Sequence, residues 1–308
     1  MNNRFKATAI GAIAIVLWGT LALMTRLTEG IIPPFQLMAM TFFVGFLLIG
    51  SRWWLRGESG LGYLRQPWTV WLLGISGYFI YHLCYFAAMA NAPAVEVSLI
   101  AYLWPLLIVL FSALLPGERL MWRHLLGVVL ALAGCGLIIS RGGMSLQADY
   151  LPGYLLAAGC AFIWSGYSLL SRLIRQVSTD VVGWYCLFAA LLAAIAHLSW
   201  EQTVMPQTAQ HWVGVVGLGL GPMGLAFFCW DKGVKQGDIQ LLGVLSYAAP
   251  LISVLLLLAV GLAAYSHQLL LACLAIVLGS LLAAGVSGKP LKKLRYKLLL
   301  RRSKMDLS

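Results

Sequence analysis

The stretch WGTLALMTRL at residues 18–27 returns near the middle of the chain as WSGYSLLSRL at residues 164–173. Trp18, Leu23, Thr25, Arg26 and Leu27 fall on Trp164, Leu169, Ser171, Arg172 and Leu173 at an offset of 146. Further along, AYLWPLLIVL at 101–110 meets SYAAPLISVL at 246–255 at an offset of 145, which pairs Tyr102 with Tyr247 and Pro105 with Pro250. Gly134 and Gly279 keep the same offset. One match could be chance in an apolar background. A nearly constant offset over several stretches reads as an internal duplication.

The composition says what kind of unit is duplicated. Of 308 residues, 61% are hydrophobic and 10% charged, against about 45–50% and about 25% in soluble domains. So few charges cannot cover a water-facing surface, which excludes a soluble globular enzyme. Twelve each of Trp, Tyr and Phe exclude a disordered chain. An all-α polytopic membrane protein remains, and the 32 glycines suit helices that approach closely in lipid. The net charge of +11 does not indicate nucleic acid, because eight of the 21 Lys and Arg lie in residues 289–308. The six cysteines sit in apolar stretches without C-x-x-C spacing, so neither disulfides nor a thiolate metal site is expected, and no cofactor. Arg4 and Lys6 precede an apolar run to about Thr25, longer than a signal h-region, which reads as a retained first span.

A span needs about 20 apolar residues to cross about 30 Å of hydrocarbon. Cutting at charges, Pro and Gly gives ten: 5–26, 34–55, 67–90, 94–115, 121–140, 150–171, 180–199, 211–232, 238–258 and 266–286. With the N-terminus inside, the outer loops hold only Arg26 and Arg141 of the 21 basic residues, which puts both termini in the cytoplasm. The expected organisation is a first five-helix repeat at 1–145, a second at 146–288 and a basic cytoplasmic tail at 289–308. The tail interleaves leucines with its cations and suits anionic lipid, though a merely solvated tail fits as well.

Five spans per half is an odd number, so the second repeat must be inserted upside down. Inverted repeats are how secondary transporters expose one site alternately to each side. Both halves carry Tyr-x-x-Pro in their fourth span, ending at Pro105 and Pro250. Proline removes a backbone donor, so these helices should kink or break there and mark a midplane site. Two ordinary packing kinks are the plainer alternative. In the third span Tyr78, Tyr81, His82 and Tyr85 share one helical face, and their polar tips need partners or water. Met223, Phe227 and Trp230 stand opposite Tyr78, His82 and Tyr85 in the eighth span.

The candidate substrate-binding set is therefore Trp18, Tyr78, His82, Tyr85, Tyr102, Pro105, Trp164, Met223, Phe227, Tyr247 and Pro250. Hydroxyls on one wall and rings on the other suit an amphipathic small molecule such as an aromatic amino acid. No charged residue is placed at the centre of a span. Glu96 reads as a first-turn acid, and Asp231 and Asp238 as residues of the cytoplasmic edge. A zwitterion's carboxylate would then be held by amides at a broken helix or by hydroxyls.

The strings IGAIAIVLWGT (10–20) and AVEVSLIAYLWPLLIVLFSALL (94–115) resemble the drug/metabolite transporter superfamily. Within it they resemble the EamA-type bacterial exporters of aromatic amino acids. The resemblance covers essentially the whole chain, and Glu96 to Pro105 is its most specific part. It implies export of amino acids and related compounds across the bacterial inner membrane, by a monomer or homodimer.

Rival classes are weaker. No G-x-x-x-x-G-K-[ST] loop exists for a pump, and no paired catalytic groups for an intramembrane enzyme. A broad drug or metabolite exporter, or a pore or facilitator, stays open. Two small-x-x-x-small pairs, Gly127/Ala131 and Gly217/Gly221, are expected to meet neighbouring helices closely.

Overall fold

Among the described residues, ten helices are long and apolar enough to cross a membrane: Asn3–Leu27, Pro34–Leu55, Trp68–Asn91, Ala94–Leu114, Trp122–Ser140, Ala148–Leu173, Thr179–Trp200, Ala209–Gln236, Ile239–Ala259 and His267–Ala284, here spans 1 to 10. The computed structural model describes residues 3–140, 147–262 and 266–284, and no strand occurs among them. Arg141 and the basic tail at 289–308 lie outside the described residues. The protein is an all-α multi-pass membrane protein of two inverted five-helix halves.

Span ends follow local chemistry. Span 2 starts on Pro34, where a missing amide costs nothing. Thr208 and Asp238 accept from the amides of His211 and Leu241, at 3.2 and 3.0 Å, and start spans 8 and 9. Span 8 extends to Gln236, past the expected end at 232, so Lys235 lies within the helix along with Asp231.

The interruptions are symmetric. Span 4 is two helices, Ala94–Ala101 and Trp104–Phe111, and span 9 is two, Ile239–Leu245 and Ala248–Ala259. Each proline sits in the first turn of the second piece, where its missing donor has no intrahelical partner to lose. The Tyr247 hydroxyl accepts from the Leu106 amide at 3.1 Å, so one half's break caps the helix of the other. Spans 3 and 8 each contain a wide π turn, Ser76–Ile80 and Gly221–Leu225, again 145 residues apart. Span 1 is interrupted at Thr20, whose hydroxyl bonds the Leu17 carbonyl at 2.7 Å. Span 6 has no such interruption and runs unbroken over Leu151–Leu173.

Small residues set the tightest contacts. A Cβ at Gly127 would stand 2.6 Å from the Gly279 carbonyl, and one at Gly279 would stand 2.5 Å from that of Gly127. Spans 5 and 10 therefore meet backbone to backbone, as expected for the Gly127/Ala131 pair. The expectation for Gly217/Gly221 holds at Gly217, where a Cβ would stand 2.9 Å from the Met24 thioether, and fails at Gly221, which has only Leu17 near it, at 3.8 Å. The close backbone contacts fall instead on Gly219, against the Thr41 carbonyl at 2.8 Å, and Gly224, against Gly45 Cα at 2.9 Å.

The two ends differ. At the end holding the basic residues, Glu118 pairs with both Arg4 and Arg172. Arg172 also donates to the Val234 and Gly237 carbonyls. Asp180 takes Arg52 at 2.9 Å and Arg56 at 3.6 Å. At the opposite end Glu201 accepts from the amides of Phe35 and Gln36, at 3.0 and 3.1 Å, and so caps span 2.

Candidate functional site

A cluster of rings fills the middle of the bundle, and Trp18 is its hub. Its ring centroid lies 5.7 Å from Trp164, 6.2 Å from Trp104, 6.0 Å from Phe227 and 5.1 Å from Trp230. Trp18 and Trp164 are repeat equivalents, so the two halves touch edge to face through the same residue. Edge-to-face pairs match ring quadrupoles and add about 0.5–1.5 kcal/mol beyond burial.

The π turn explains how Trp18 is held. The Ala226 amide reaches back five residues to the Gly221 carbonyl, instead of four to Pro222. Trp18 Nε1 donates to the Pro222 carbonyl at 3.2 Å. The Tyr81 amide likewise reaches back to Ser76 in span 3. Wide turns of this kind gather at functional sites.

The tyrosine face of span 3 divides. Tyr78 is fully buried, 4.5 Å from Phe227 and 5.5 Å from both Tyr167 and Tyr185. His82 is buried with Nδ1 2.6 Å from the Tyr78 carbonyl and its ring on Phe42. Tyr81 and Tyr85 are half-buried and nearly parallel, at 6.3 Å, and Tyr81 leans on Trp164 at 5.8 Å. Tyr78 and His82 found polar partners, and the single stripe became two pairs.

Of the candidate residues, Trp18, Tyr78, Trp164 and Phe227 converge in one cluster, with Met223 packed against it and His82 joined to it through Phe42 and Phe227. Tyr85 joins through Tyr81. Tyr247 is buried and Tyr102 half-buried beside Val109 and Val128, at the helix breaks rather than among the rings. Pro105 is buried and Pro250 half-buried.

Sequence reasoning passed over Trp104, Tyr167 and Tyr185, and placed Trp230 on the eighth-span wall without including it in the binding set, although all four are as central as the residues it chose. Tyr167 lies one turn after Trp164 and stacks on it at 5.1 Å, so helical spacing from Trp164 would have found it. It also placed Asp231 at an edge. Asp231 is 1% exposed and Lys235 2%, and they face each other inside span 8. The i, i+4 spacing of opposite charges was the available signal. Glu96 does stand in the first turn of Ala94–Ala101 and is buried. Among the described residues no three His, Cys, Asp or Glu come together to hold a metal.

Ten apolar spans in two inverted halves, broken at matched places around a buried ring cluster, define a membrane transporter. The chain belongs to the EamA-like transporter family, whose sequence pattern matches it twice, at residues 6–140 and 151–285. It is 51% identical over 283 residues to the aromatic amino acid exporter YddG of Ancylobacter novellus, covering 91% of this chain and 98% of that one. It is 29% identical to the aromatic amino acid exporter YddG of Escherichia coli, covering 82% and 87%. The pseudopaline exporter CntI of Pseudomonas aeruginosa is 33% identical over 200 residues, covering 61% and 66%. A crystal structure 51% identical in sequence superposes with a TM-score of 0.87, covering 91% of this chain and 96% of that one.

Proposed function

We propose that the protein exports aromatic amino acids across the bacterial inner membrane, with both termini in the cytoplasm. The observation that carries this reading is the ring cluster itself. Edges and faces of Trp18, Tyr81, Trp164 and Phe227 meet at the level where spans 4 and 9 are broken. A substrate ring can replace one of these partners without loss of edge-to-face contact. Amides near the breaks supply donors to its polar part. The half-helices of spans 4 and 9 are the natural hinges, because their breaks leave few hydrogen bonds to lose. Ion pairs through Glu118 and Asp180 support a resting state sealed at the basic end.

Labelled phenylalanine, tyrosine and tryptophan leaving proteoliposomes test this reading. Saturable flux with mutual competition supports a carrier, non-saturating flux would make it a pore, and flux of unrelated metabolites alone would exclude aromatic substrates. The similarity to CntI favours a second reading, a wider range of amphipathic metabolites, which the same assay compares directly. For orientation, a reporter after Ser308 or near Arg56 should be cytoplasmic and one in the 201–210 loop external.

A further inference from the structure

Span 8 buries a complete ion pair. Asp231 Oδ2 and Lys235 Nζ stand 2.8 Å apart, in contact but outside hydrogen-bond alignment. The second Asp231 oxygen accepts from the Tyr167 hydroxyl at 3.1 Å, and Lys235 donates to the Val177 carbonyl at 3.0 Å. Buried pairs of this kind contribute little stability over apolar replacements. Charges inside a membrane bundle mark the path of a substrate or ion.

The surroundings say which path. Toward the basic end, Val177 forms part of the wall of a cavity of about 460 Å³, together with Arg52, Arg175, Asp180, Lys232 and Gln236. Three cations to one carboxylate draw anions inward. Toward the middle, Trp230 adjoins Asp231 in the chain and lies 5.1 Å from Trp18, while Tyr167 stacks on Trp164. The pair thus stands between a basic antechamber and the rings.

We propose that Asp231 and Lys235 form the receptor for the charged head of an α-amino acid arriving from the basic end. The substrate carboxylate takes Lys235 Nζ as it leaves the Val177 carbonyl. The substrate ammonium takes Asp231 Oδ2, and the side chain points toward Trp164 and Trp230. One ion pair separates and two form. No proton moves and no unpaired charge remains. The inference rests on the reading of the protein as an amino acid exporter and adds the place where the head group is recognised.

The test uses the full-length protein in vesicles and labelled phenylalanine, with 3-phenylpropionate and 2-phenylethylamine as competitors. The first lacks the ammonium, the second the carboxylate. In the wild type, each should compete about tenfold or more weakly than phenylalanine, the worth of one charged contact. Asp231→Asn should remove the disadvantage of phenylpropionate, and Lys235→Gln that of phenylethylamine. The exchanged pair Asp231→Lys with Lys235→Asp should keep folded yield and melting temperature but not phenylalanine flux, because a reversed head group turns the ring away from Trp164.

Single variants that keep the wild-type ranking, or an exchanged pair with wild-type flux, would make the ion pair purely structural and overturn the proposal. Equal competition by all three compounds in the wild type overturns it without any variant. If phenylalanine does not move at all, the substrate reading itself fails. Flux without discrimination removes only the receptor.

Discussion

In the first half, span 3 carries Tyr78, His82 and Tyr85, while the corresponding places of span 8 hold Met223, Phe227 and Trp230. Both spans nevertheless widen into a π turn at equivalent points. Spans 4 and 9 both break at the tyrosine of their Tyr-x-x-Pro, yet among the described residues only the Tyr247 hydroxyl caps the other half, on the Leu106 amide. Spans 1 and 6 share a tryptophan that meets its own counterpart, but only span 1 is interrupted there. The halves hold backbone irregularities in common and divide the side-chain chemistry between them. A carrier of this design needs matching hinges on both sides and a single site that is not itself symmetric.

Substitutions can break or sharpen this contrast. The largest effect is expected at Gly224, where the new Cβ alone would lie 2.5 Å from the Gly219 carbonyl and 2.9 Å from Gly45 Cα. Since backbone cannot retreat, Gly224→Leu should cost about 3 kcal/mol or more and collapse the folded yield in detergent melting. In the π turn of span 3, Gly77 faces the Tyr167 side chain at 2.8 Å instead, so Gly77→Ala should melt closer to the wild type. Equal losses would mean the two turns are held alike.

Next come the tryptophans. Trp164 is 4% exposed and Trp18 half-buried. Trp164→Ala should cost about 3–5 kcal/mol and Trp18→Ala less, and both should reduce aromatic amino acid export. Export at the wild-type rate by both variants would remove the ring cluster from the path.

The tyrosines at the breaks separate more finely. Tyr247→Phe strips the Leu106 amide of its partner and should cost about 1–3 kcal/mol, whereas Tyr102→Phe should be near neutral. Comparable melting points for the two variants would show that the cap contributes nothing. Gly221→Leu should have the smallest effect, within about 0.5 kcal/mol, since only Leu17 is near and at 3.8 Å.

The ten spans and their inverted arrangement were legible because lipid permits few alternatives. An apolar run of the right length must be a helix, and five per half must invert. The breaks were legible at Pro105 and Pro250, because proline acts on its own backbone. The π turns were not. Pro222 and its flanking glycines hinted at the second, but nothing in SGYFI distinguishes the first from ordinary helix, since the extra residue is accommodated by tertiary contacts. That unseen turn also explains why Tyr78 and Tyr81 part company. The burial of Asp231 and its pairing with Lys235 were missed for a different reason. Span 8 continues beyond the point where hydropathy falls, because the protein rather than lipid surrounds its end.

The glycine seam between spans 5 and 10 has a consequence for how the chain is made. Span 5 ends at Ser140 and span 10 begins at His267, so at about 5–20 residues per second the partner follows about 6–25 s later. Throughout that interval the face of Gly127 and Gly134 must rest against lipid. Glycine leaves no polar side chain to satisfy there, so waiting is harmless. The ribosome thus delivers the first half unfinished, and its fifth helix is completed only when the last helix of the second half arrives.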